Sequence, residues 1–355
     1  MTAPRSPGRR GWPVRYDPAR PAPGAPAPGT VPASAIILAR DEAVNIARAV
    51  ASVQWCRQVV VVDSGSTDAT TDIARAAGAT IWHEPWRGFA AQREWAMRAQ
   101  EIAHDWVFFL DADEWVSVDL AQEIAARLGT EDCAAYAQRR RLVFAGRWIA
   151  HCGWYTNSWQ ARLLDRRRAS FDTAAEYGER ATVTGRVLRL AGDLVDEDAK
   201  GLPAWLRRHV GYAELEARRR AAEPSPARQL LTAVRARGTS TRPLARALAK
   251  EVVYPLVPAR PLALFVYMYV LRAGWRDGFS GLLFCLYHAW YELTVTALGR
   301  IPLTAGTAGA AGTGNLPSGR DAVGRAGVAI PAQRSAERPR EATPAESTPA
   351  GTTAR

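Results

Sequence analysis

Cysteine is scarce in this chain of 355 residues, and its four copies are Cys56, Cys133, Cys152 and Cys285. They form no C-x-x-C pair and have no regular spacing, which argues against a disulfide framework or a zinc ribbon. The N-terminal segment also lacks an apolar run, because Pro, Ala and Gly dominate from Pro18 to Pro32, so we expect no secretory signal. These absences favour a protein of the reducing cytoplasm.

The net charge of +11 is distributed unevenly along the chain. Residues 34–200 carry 20 basic and 24 acidic side chains, whereas residues 201–355 carry 21 basic and 10 acidic ones. The best-patterned segment is therefore slightly acidic, and we do not expect nucleic acid as a partner. The basic C-terminal part could instead meet a polyanion such as an anionic membrane surface.

Apolar periodicity is missing from residues 1–33 and 303–355, which we predict to be disordered. The segment between Ser34 and Thr130 alternates buried-strand patterns with amphipathic ones. The predicted strands are Ala35–Leu38, Val59–Val62 and Val107–Leu110. The predicted helices are Ala43–Val53, Thr67–Ala77, Phe89–Ala103 and Val118–Leu128, the last with Ser117 as its N-cap. This alternation predicts an α/β fold with a mainly parallel sheet and flanking helices.

Acidic residues follow each of the three predicted strands. The clusters are Asp41-Glu42, Asp63 to Asp68, and Asp111-Ala112-Asp113-Glu114. Ligands of such sheets bind beyond the carboxyl ends of the strands, so the three clusters should meet in one crevice. Their mutual repulsion calls for a cation or for hydrogen-bond donors. Carboxylate oxygens suit Mg²⁺ or Mn²⁺, and the D-x-D pair is the best candidate to hold one of these ions beside a diphosphate.

The three clusters, in this order and spacing, resemble glycosyltransferase family 2. Three further segments resemble the branch that contains lipopolysaccharide-core β-glucosyltransferases, namely Trp86–Arg93, Gly146–Tyr155 and Gln160–Leu164. The resemblance implies the Rossmann-like GT-A fold, a nucleotide-sugar donor and inversion at the anomeric carbon. Asn is usual in this family where the chain has Asp41, and R-L-F is usual where it has Arg162-Leu163-Leu164.

The resemblance also implies roles for individual residues. Asp113 would bind the metal ion, and Asp111 would contact the ribose or the donor sugar. The remaining residues implied in donor binding are Asp41, Glu42, Asp63, Ser64, Gly65, Ser66, Asp68, Gln92 and Arg93. Asp68 could equally be a helix cap, and Arg93 a solvated helix residue.

The general base is less clearly indicated, because the family's His-Glu pair is replaced here by the segment Ala175–Arg180. Inverting transfer needs a carboxylate that accepts the proton of the acceptor hydroxyl. The spacing to Gly185 in the family pattern favours Glu179, with Glu176 as the alternative. Either could instead be an exposed strand residue.

The C-terminal region, residues 201–302, is predicted to be helical, rich in Arg and associated with a membrane. Its two apolar stretches, Pro261–Leu271 and Phe279–Leu298, are short or contain polar residues, so helices lying in the membrane interface fit better than spanning ones. Two alternatives remain. One is a membrane-spanning helix over residues 279–298, and the other is a helical subdomain packed on the domain of residues 34–200. The histidines His83, His104, His151 and His209 have no metal-ligand spacing and are expected to be structural.

These patterns predict a metal-dependent inverting glycosyltransferase. It would move a sugar, with UDP as the favoured carrier, to a cell-envelope glycan or a lipid-linked acceptor. We place it in the cytoplasm, peripheral at the inner face of the cell membrane. One alternative is a nucleotidyltransferase, which would need a Gly-rich basic loop where the chain has Ala39–Glu42. The other is a non-enzymatic basic protein that binds polyanions, which would need a basic patterned domain.

Overall fold

The structure, a computed structural model, describes residues 24–173, 181–222 and 260–300. Its strands are β1 Val31–Ala39, β2 Cys56–Asp63, β3 Thr80–His83, β4 Trp106–Asp111, β5 Glu114–Val116, β6 Ala135–Phe144, β7 Arg147–Trp148, β8 Gln160–Asp165, β9 Ala169–Phe171, β10 Ala181–Val183 and β11 Val187–Asp196. Its α-helices are α1 Ile46–Ser52, α2 Thr70–Ala76, α3 Phe89–Arg98, α4 Val118–Arg127, α5 Gly201–Ala222, α6 Arg260–Val266 and α7 Gly278–Leu298.

The main sheet has the strand order β3-β2-β1-β4-β8-β6-β11-β5, with β7 paired to β6. The half from β3 to β4 is parallel throughout, as predicted. The other half is not, because β8 runs antiparallel to both β4 and β6, and β5 runs antiparallel to β11. The sheet is therefore mixed. Strands β6, β7 and β8 follow one another without an α-helix between them, and β6 pairs antiparallel with both β7 and β8.

The predicted strands and helices of the first half are present with shifted ends. Each of the first three predicted strands lies inside a longer observed one, and the four predicted helices are observed in shorter form. Ser117 caps α4 by accepting a hydrogen bond from the backbone N–H of Leu120 at 3.3 Å. The sequence predicts disorder for residues 1–33 and 303–355. The prediction is wrong at Val31–Ala33, which begin β1 and are held there by pairing with the neighbouring strands β2 and β4. Residues 1–23, 303–355 and 223–259 of the Arg-rich region lie outside the described residues.

Strands β1, β2 and β4 are buried on both faces, which explains their continuous runs of Val, Ile and Phe. On one face Ile37, Val61 and Phe108 pack with α1. On the other face Ile36, Val60 and Phe109 pack with α3. The rigid sheet between these two layers fixes the positions of the loops at its carboxyl edge.

Helices α5, α6 and α7 form a helical layer beside β6. Trp205 of α5 and Phe284 of α7 both pack edge-on against Phe144, the last residue of β6. Arg220 of α5 makes a two-point ion pair with Glu292 of α7, at 2.8 and 3.0 Å. Within residues 24–173, 181–222 and 260–300, no helix is both long and apolar enough to cross a membrane.

Candidate active site

The three acidic clusters lie together at the carboxyl edge of the parallel half-sheet. Strand β1 lies between β2 and β4, and the strand register sets Ala39 beside Asp63 and Leu38 beside Asp111. Asp63 is the last residue of β2 and Asp111 the last of β4. The sheet therefore produces the convergence that the sequence predicts, because its parallel strands all end at this edge.

Hydrogen bonds join the loops that follow β1 and β2. The Asp63 carboxylate accepts the backbone N–H groups of Gly65 and Ser66, each at 3.2 Å. Asp41, whose φ is +52°, accepts the N–H of Thr67 at 2.7 Å and donates its own N–H to the Ser66 hydroxyl at 2.9 Å. Gly65 has a φ of +85°, which a residue with a Cβ adopts only with strain. These contacts hold the acidic groups in fixed positions before any ligand binds.

Asp68 has a structural role in this loop. Its carboxylate accepts the N–H groups of Thr70 at 3.0 Å and Ala43 at 3.1 Å. Burial acts to raise the pKa of Asp68, but the hydrogen bonds from Thr70 and Ala43 outweigh it and hold the pKa below its usual range. Asp68 thus connects the loop after β2 to the loop after β1.

Gln92 and His83 reach the same edge from α3 and β3. The fully buried Gln92 donates to the Ser64 hydroxyl at 3.3 Å and accepts the N–H of Arg87 at 3.2 Å. His83 is paired with Asp63 in the strand register, and its Nδ1 lies 3.3 Å from the Asp63 carboxylate. Its side chain is 67% exposed. His83 therefore belongs to the site, although its spacing in the sequence gives no sign of this.

Asp111 lies between two arginines. Nη2 of Arg93 is 2.8 Å from one carboxylate oxygen, and Nη2 of Arg162 is 2.9 Å from the other. Both guanidinium groups are buried, with side-chain exposures of 1% and 5%. Arg93 thus lies against Asp111 and is not a solvated helix residue. Arg162 has no site role in the sequence analysis, although it belongs to the family-like segment Gln160–Leu164.

Asp113 lies in a buried and strongly acidic environment. Burial is the largest cause that raises its pKa well above the usual range, and the carboxylates of four neighbours add to it. These neighbours are Asp196, Glu42, Asp198 and Glu114. Cations offset part of this charge. Lys200 lies 2.7 Å from Glu42, and Arg140 lies 3.1 Å from Asp196. Arg208 lies 2.6 Å from Asp198. Asp196 and Asp198, at the end of β11, are site residues that the sequence analysis does not identify.

The chemistry of Asp113 fits a divalent cation shared with a substrate. A buried carboxylate among like charges gains from a bound cation, and its hard oxygens suit Mg²⁺ or Mn²⁺. These ions commonly take one or two protein carboxylates and complete their shell with substrate phosphates and water. Within the described part of the chain, no group of three or more His, Cys, Asp or Glu side chains has a geometry that could hold a metal by itself.

A cavity of about 220 Å³ adjoins Asp113, between the edge of the sheet and α5. Leu142, Phe144 and Trp205 form its apolar side. Its charged side includes two ion pairs, Arg48 with Glu197 at 2.8 Å and Arg208 with Asp198 at 2.6 Å. Glu176 and Glu179, the candidates for the general base, lie outside the described residues.

Comparison with known proteins gives partial matches to glycosyltransferases. Lipopolysaccharide core biosynthesis glycosyltransferase LpsC of Rhizobium meliloti is 32% identical over 107 residues, which is 29% of this chain and 39% of that protein. An uncharacterized glycosyltransferase of Rickettsia felis is 42% identical over 92 residues, 26% of this chain and 32% of the relative. The matched regions thus span about a third of the length of these relatives.

Two solved structures are among the similar folds. Staphylococcus aureus TarS, residues 1–349, has a TM-score of 0.37 at 13% identity and covers 76% of this chain and 83% of its own. Glucosyl-3-phosphoglycerate synthase of Mycobacterium tuberculosis, in complex with Mn²⁺, UDP and phosphoglyceric acid, has a TM-score of 0.29 at 19% identity and covers 38% and 56%.

The sequence profile of Glycosyl transferase family 2 matches residues 34–177, which include all three acidic clusters. The match confirms the predicted resemblance of this part of the chain to glycosyltransferase family 2.

Proposed function

We propose that this chain is a metal-dependent inverting glycosyltransferase that takes a sugar from a nucleotide-diphosphate sugar, with UDP as the favoured nucleotide. One observation carries the proposal: three acidic clusters meet at the carboxyl edge of the sheet around the buried carboxylate of Asp113. Carboxylates grouped in this way repel one another, and a bound cation and polar ligand groups would relieve that repulsion.

The nucleoside would bind against the loops after β1 and β2. Asp41, Glu42 and Asp63 present carboxylates that can accept hydrogen bonds from a base or a ribose. The segment Ser64–Ser66 is already fixed by its hydrogen bonds to Asp63, so little order has to be gained on binding. Asp111, held by Arg93 and Arg162, would accept a hydrogen bond from the ribose or the donor sugar.

Asp113 is the residue that would hold the divalent cation, which when bound offsets the charge that grows on the diphosphate leaving group. The carboxylate lies at the turn from β4 to β5, next to the cavity, which supports this role. The charge of Asp111 is compensated by two arginines, so the two acids of the D-x-D pair differ in their environment. This difference supports metal binding by Asp113 and sugar binding by Asp111.

Inversion requires a base on the acceptor side. The acceptor oxygen would attack the anomeric carbon as the bond from that carbon to the diphosphate oxygen breaks. Glu179 would accept the hydroxyl proton, with Glu176 as the alternative. The cavity beside Asp113, with Trp205 and Phe144 on one side and charged groups on the other, would receive the acceptor. The similarity to a lipopolysaccharide core glycosyltransferase supports a cell-envelope glycan or a lipid-linked acceptor.

The C-terminal helices would hold the enzyme at the inner face of the cell membrane. Among the described residues 260–300, nine large apolar side chains are exposed: Leu262, Val266, Tyr267, Val270, Leu271, Trp275, Phe279, Leu286 and Leu293. Arg272 and Arg276 lie among them in the sequence, which suits anionic headgroups. An interface accepts both the aromatic rings and the cations.

Product analysis tests the proposed activity. The full chain is incubated with a panel of UDP-, GDP-, ADP- and dTDP-sugars, with glycan or lipid-linked acceptors, and with or without Mg²⁺ or Mn²⁺. We expect release of a nucleoside diphosphate and a glycosylated acceptor of inverted configuration, both dependent on the cation. Retained configuration would contradict inversion, and full activity in a chelator would contradict metal dependence.

A further inference from the structure

Two thiols that are far apart in the sequence touch inside the protein. Sγ of Cys152 lies 3.5 Å from Sγ of Cys285, although 133 positions separate them. Cys152 is in the loop after β7, and Cys285 is in α7. Both side chains are buried, with residue exposures of 3% and 0%. Their contact therefore joins the helical layer to the sheet-bearing part of the chain.

The surroundings hold the two sulfur atoms in place. The Asp277 carboxylate, directly before α7, accepts the backbone N–H of His151 at 2.8 Å and lies 2.6 Å from its Nδ1. Cys152 has a φ of +61°, so its backbone conformation is an uncommon one for a residue with a side chain. A Cβ on Gly274 would lie 2.7 Å from one sulfur and 3.0 Å from the other, which explains why a glycine stands there. The pair is thus closely enclosed by the turn before α7.

We propose that Cys152 and Cys285 are a site of oxidative modification, at which a peroxide converts the two thiols to a disulfide that ties α7 to the loop after β7. One thiolate attacks hydrogen peroxide, breaks the O–O bond, becomes a sulfenic acid and releases the first water after protonation. The second thiolate attacks that sulfur, so the S–S bond forms and the S–OH bond breaks with release of the second water. The two sulfur atoms together lose two electrons, and one peroxide gains them.

The reduced protein should react slowly. The hydrogen bond with Cys285 and burial raise the pKa of Cys152 well above its usual range, so the thiolate that starts the reaction is rare at neutral pH. Only a small oxidant can reach the site without unfolding the helical layer. Once formed, the disulfide would be protected from reductants by the same burial, and it would close a long loop of the chain.

Thiol counting and peptide mapping test the proposal on the full chain. Reduced protein is treated with hydrogen peroxide for hours, and its free thiols are then counted in denaturant. We expect the count to fall from four to two, and non-reducing mass spectrometry to find one linked peptide pair that contains Cys152 and Cys285. The melting temperature should rise by roughly 5 °C or more, and dithiothreitol should reverse the change.

Matched variants separate this pair from the other cysteines. Cys152→Ser and Cys285→Ser should abolish both the linked peptide and the rise in melting temperature, whereas Cys133→Ser should keep both. The number of free thiols in the wild-type chain after peroxide treatment tests the proposal even if a serine variant folds poorly. Four thiols remaining after peroxide treatment, a linked pair that includes Cys56 or Cys133, or sulfinic acid at Cys152 without a link would each overturn the proposal.

Discussion

Arg93 donates a hydrogen bond of 2.8 Å to Asp111, and both residues are buried at the carboxyl edge of the sheet. Arg162 binds the second carboxylate oxygen of Asp111 from β8. The acid to which the family resemblance gives contact with the ribose or the donor sugar is therefore held by helix α3 on one side and by an antiparallel strand on the other. Its orientation depends on two residues that are far from it in the sequence.

This arrangement predicts that Arg93 acts by positioning Asp111. Arg93→Ala would leave part of a buried charge uncompensated, so we expect a loss of about 3 kcal/mol in the free energy of unfolding. Arg93→Lys keeps the charge but cannot reproduce the guanidinium geometry, and it should mainly raise the KM for the donor. Urea unfolding and donor titration measure the two effects. Arg75→Ala, in an exposed pair of α2, is the control and should cost less than about 0.5 kcal/mol. An Arg93→Ala protein of wild-type stability and KM would contradict the prediction.

Asp113→Asn should separate activity from folding. The change removes one buried negative charge from a cluster of five, so the free energy of unfolding without added metal should stay the same or rise. Transfer should fall by roughly two to three orders of magnitude, because the diphosphate loses its cation. Asp119→Asn, an exposed acid at the start of α4, is the control. Near wild-type transfer by the Asn variant, measured over a Mn²⁺ titration, would reject Asp113 as the metal ligand.

The first half of the fold can be predicted from the sequence, because its strands are buried on both faces and continuous apolar runs reveal them. The mixed second half cannot, because three consecutive arginines, Arg139 to Arg141, interrupt the apolar pattern of β6, and its pairing with β8 and β11 depends on distant segments. The same reason explains the missed residues. Asp196 and His83 reach the site through strand neighbours, and no local spacing marks them. Arg162 lies in the family-like segment Gln160–Leu164, but its contact with Asp111 depends on the pairing of β8 with β4.

The assignment of the general base predicts unequal effects of two similar variants. Glu179→Gln should abolish transfer and leave donor binding nearly intact, because the donor groups lie at the ends of β1, β2 and β4. Glu176→Gln should reduce transfer less than Glu179→Gln does. Calorimetric titration with UDP and a transfer assay separate binding from chemistry. Reversed severities would move the role to Glu176, and full activity of both variants would place the base elsewhere.

Glu216 of α5 provides a test by pH. Burial alone would raise the pKa of Glu216, but hydrogen bonds from Arg219 and Arg220 hold it below the usual range. A lowered native pKa stabilises the fold above the ordinary glutamate pKa of about 4.3, and this stabilisation is lost as pH falls toward the native value. Glu216→Gln should therefore cost about 1.5 kcal/mol at pH 7 and almost nothing at the lowest pH at which the protein folds. Urea unfolding across this range measures the difference. Glu214→Gln, exposed on the same helix, should give a small and flat difference.

The exposed apolar residues around α6 and α7 predict binding to anionic membranes. Leu271 and Phe279 are 72% and 73% exposed, an arrangement that costs free energy in water and gains it at a lipid interface. The double change Leu271→Ser and Phe279→Ser should weaken binding to anionic vesicles by at least about tenfold and leave the melting temperature nearly unchanged, because neither side chain is packed. Val44→Ser, exposed to 63% near the sheet edge, is the control and should bind like the wild type.

Vesicle sedimentation at low and high salt measures the affinity. The wild type should bind anionic vesicles more tightly than neutral ones, and added salt should reduce this difference in affinity. A full chain that ignores anionic vesicles would instead favour an apolar surface covered by another protein.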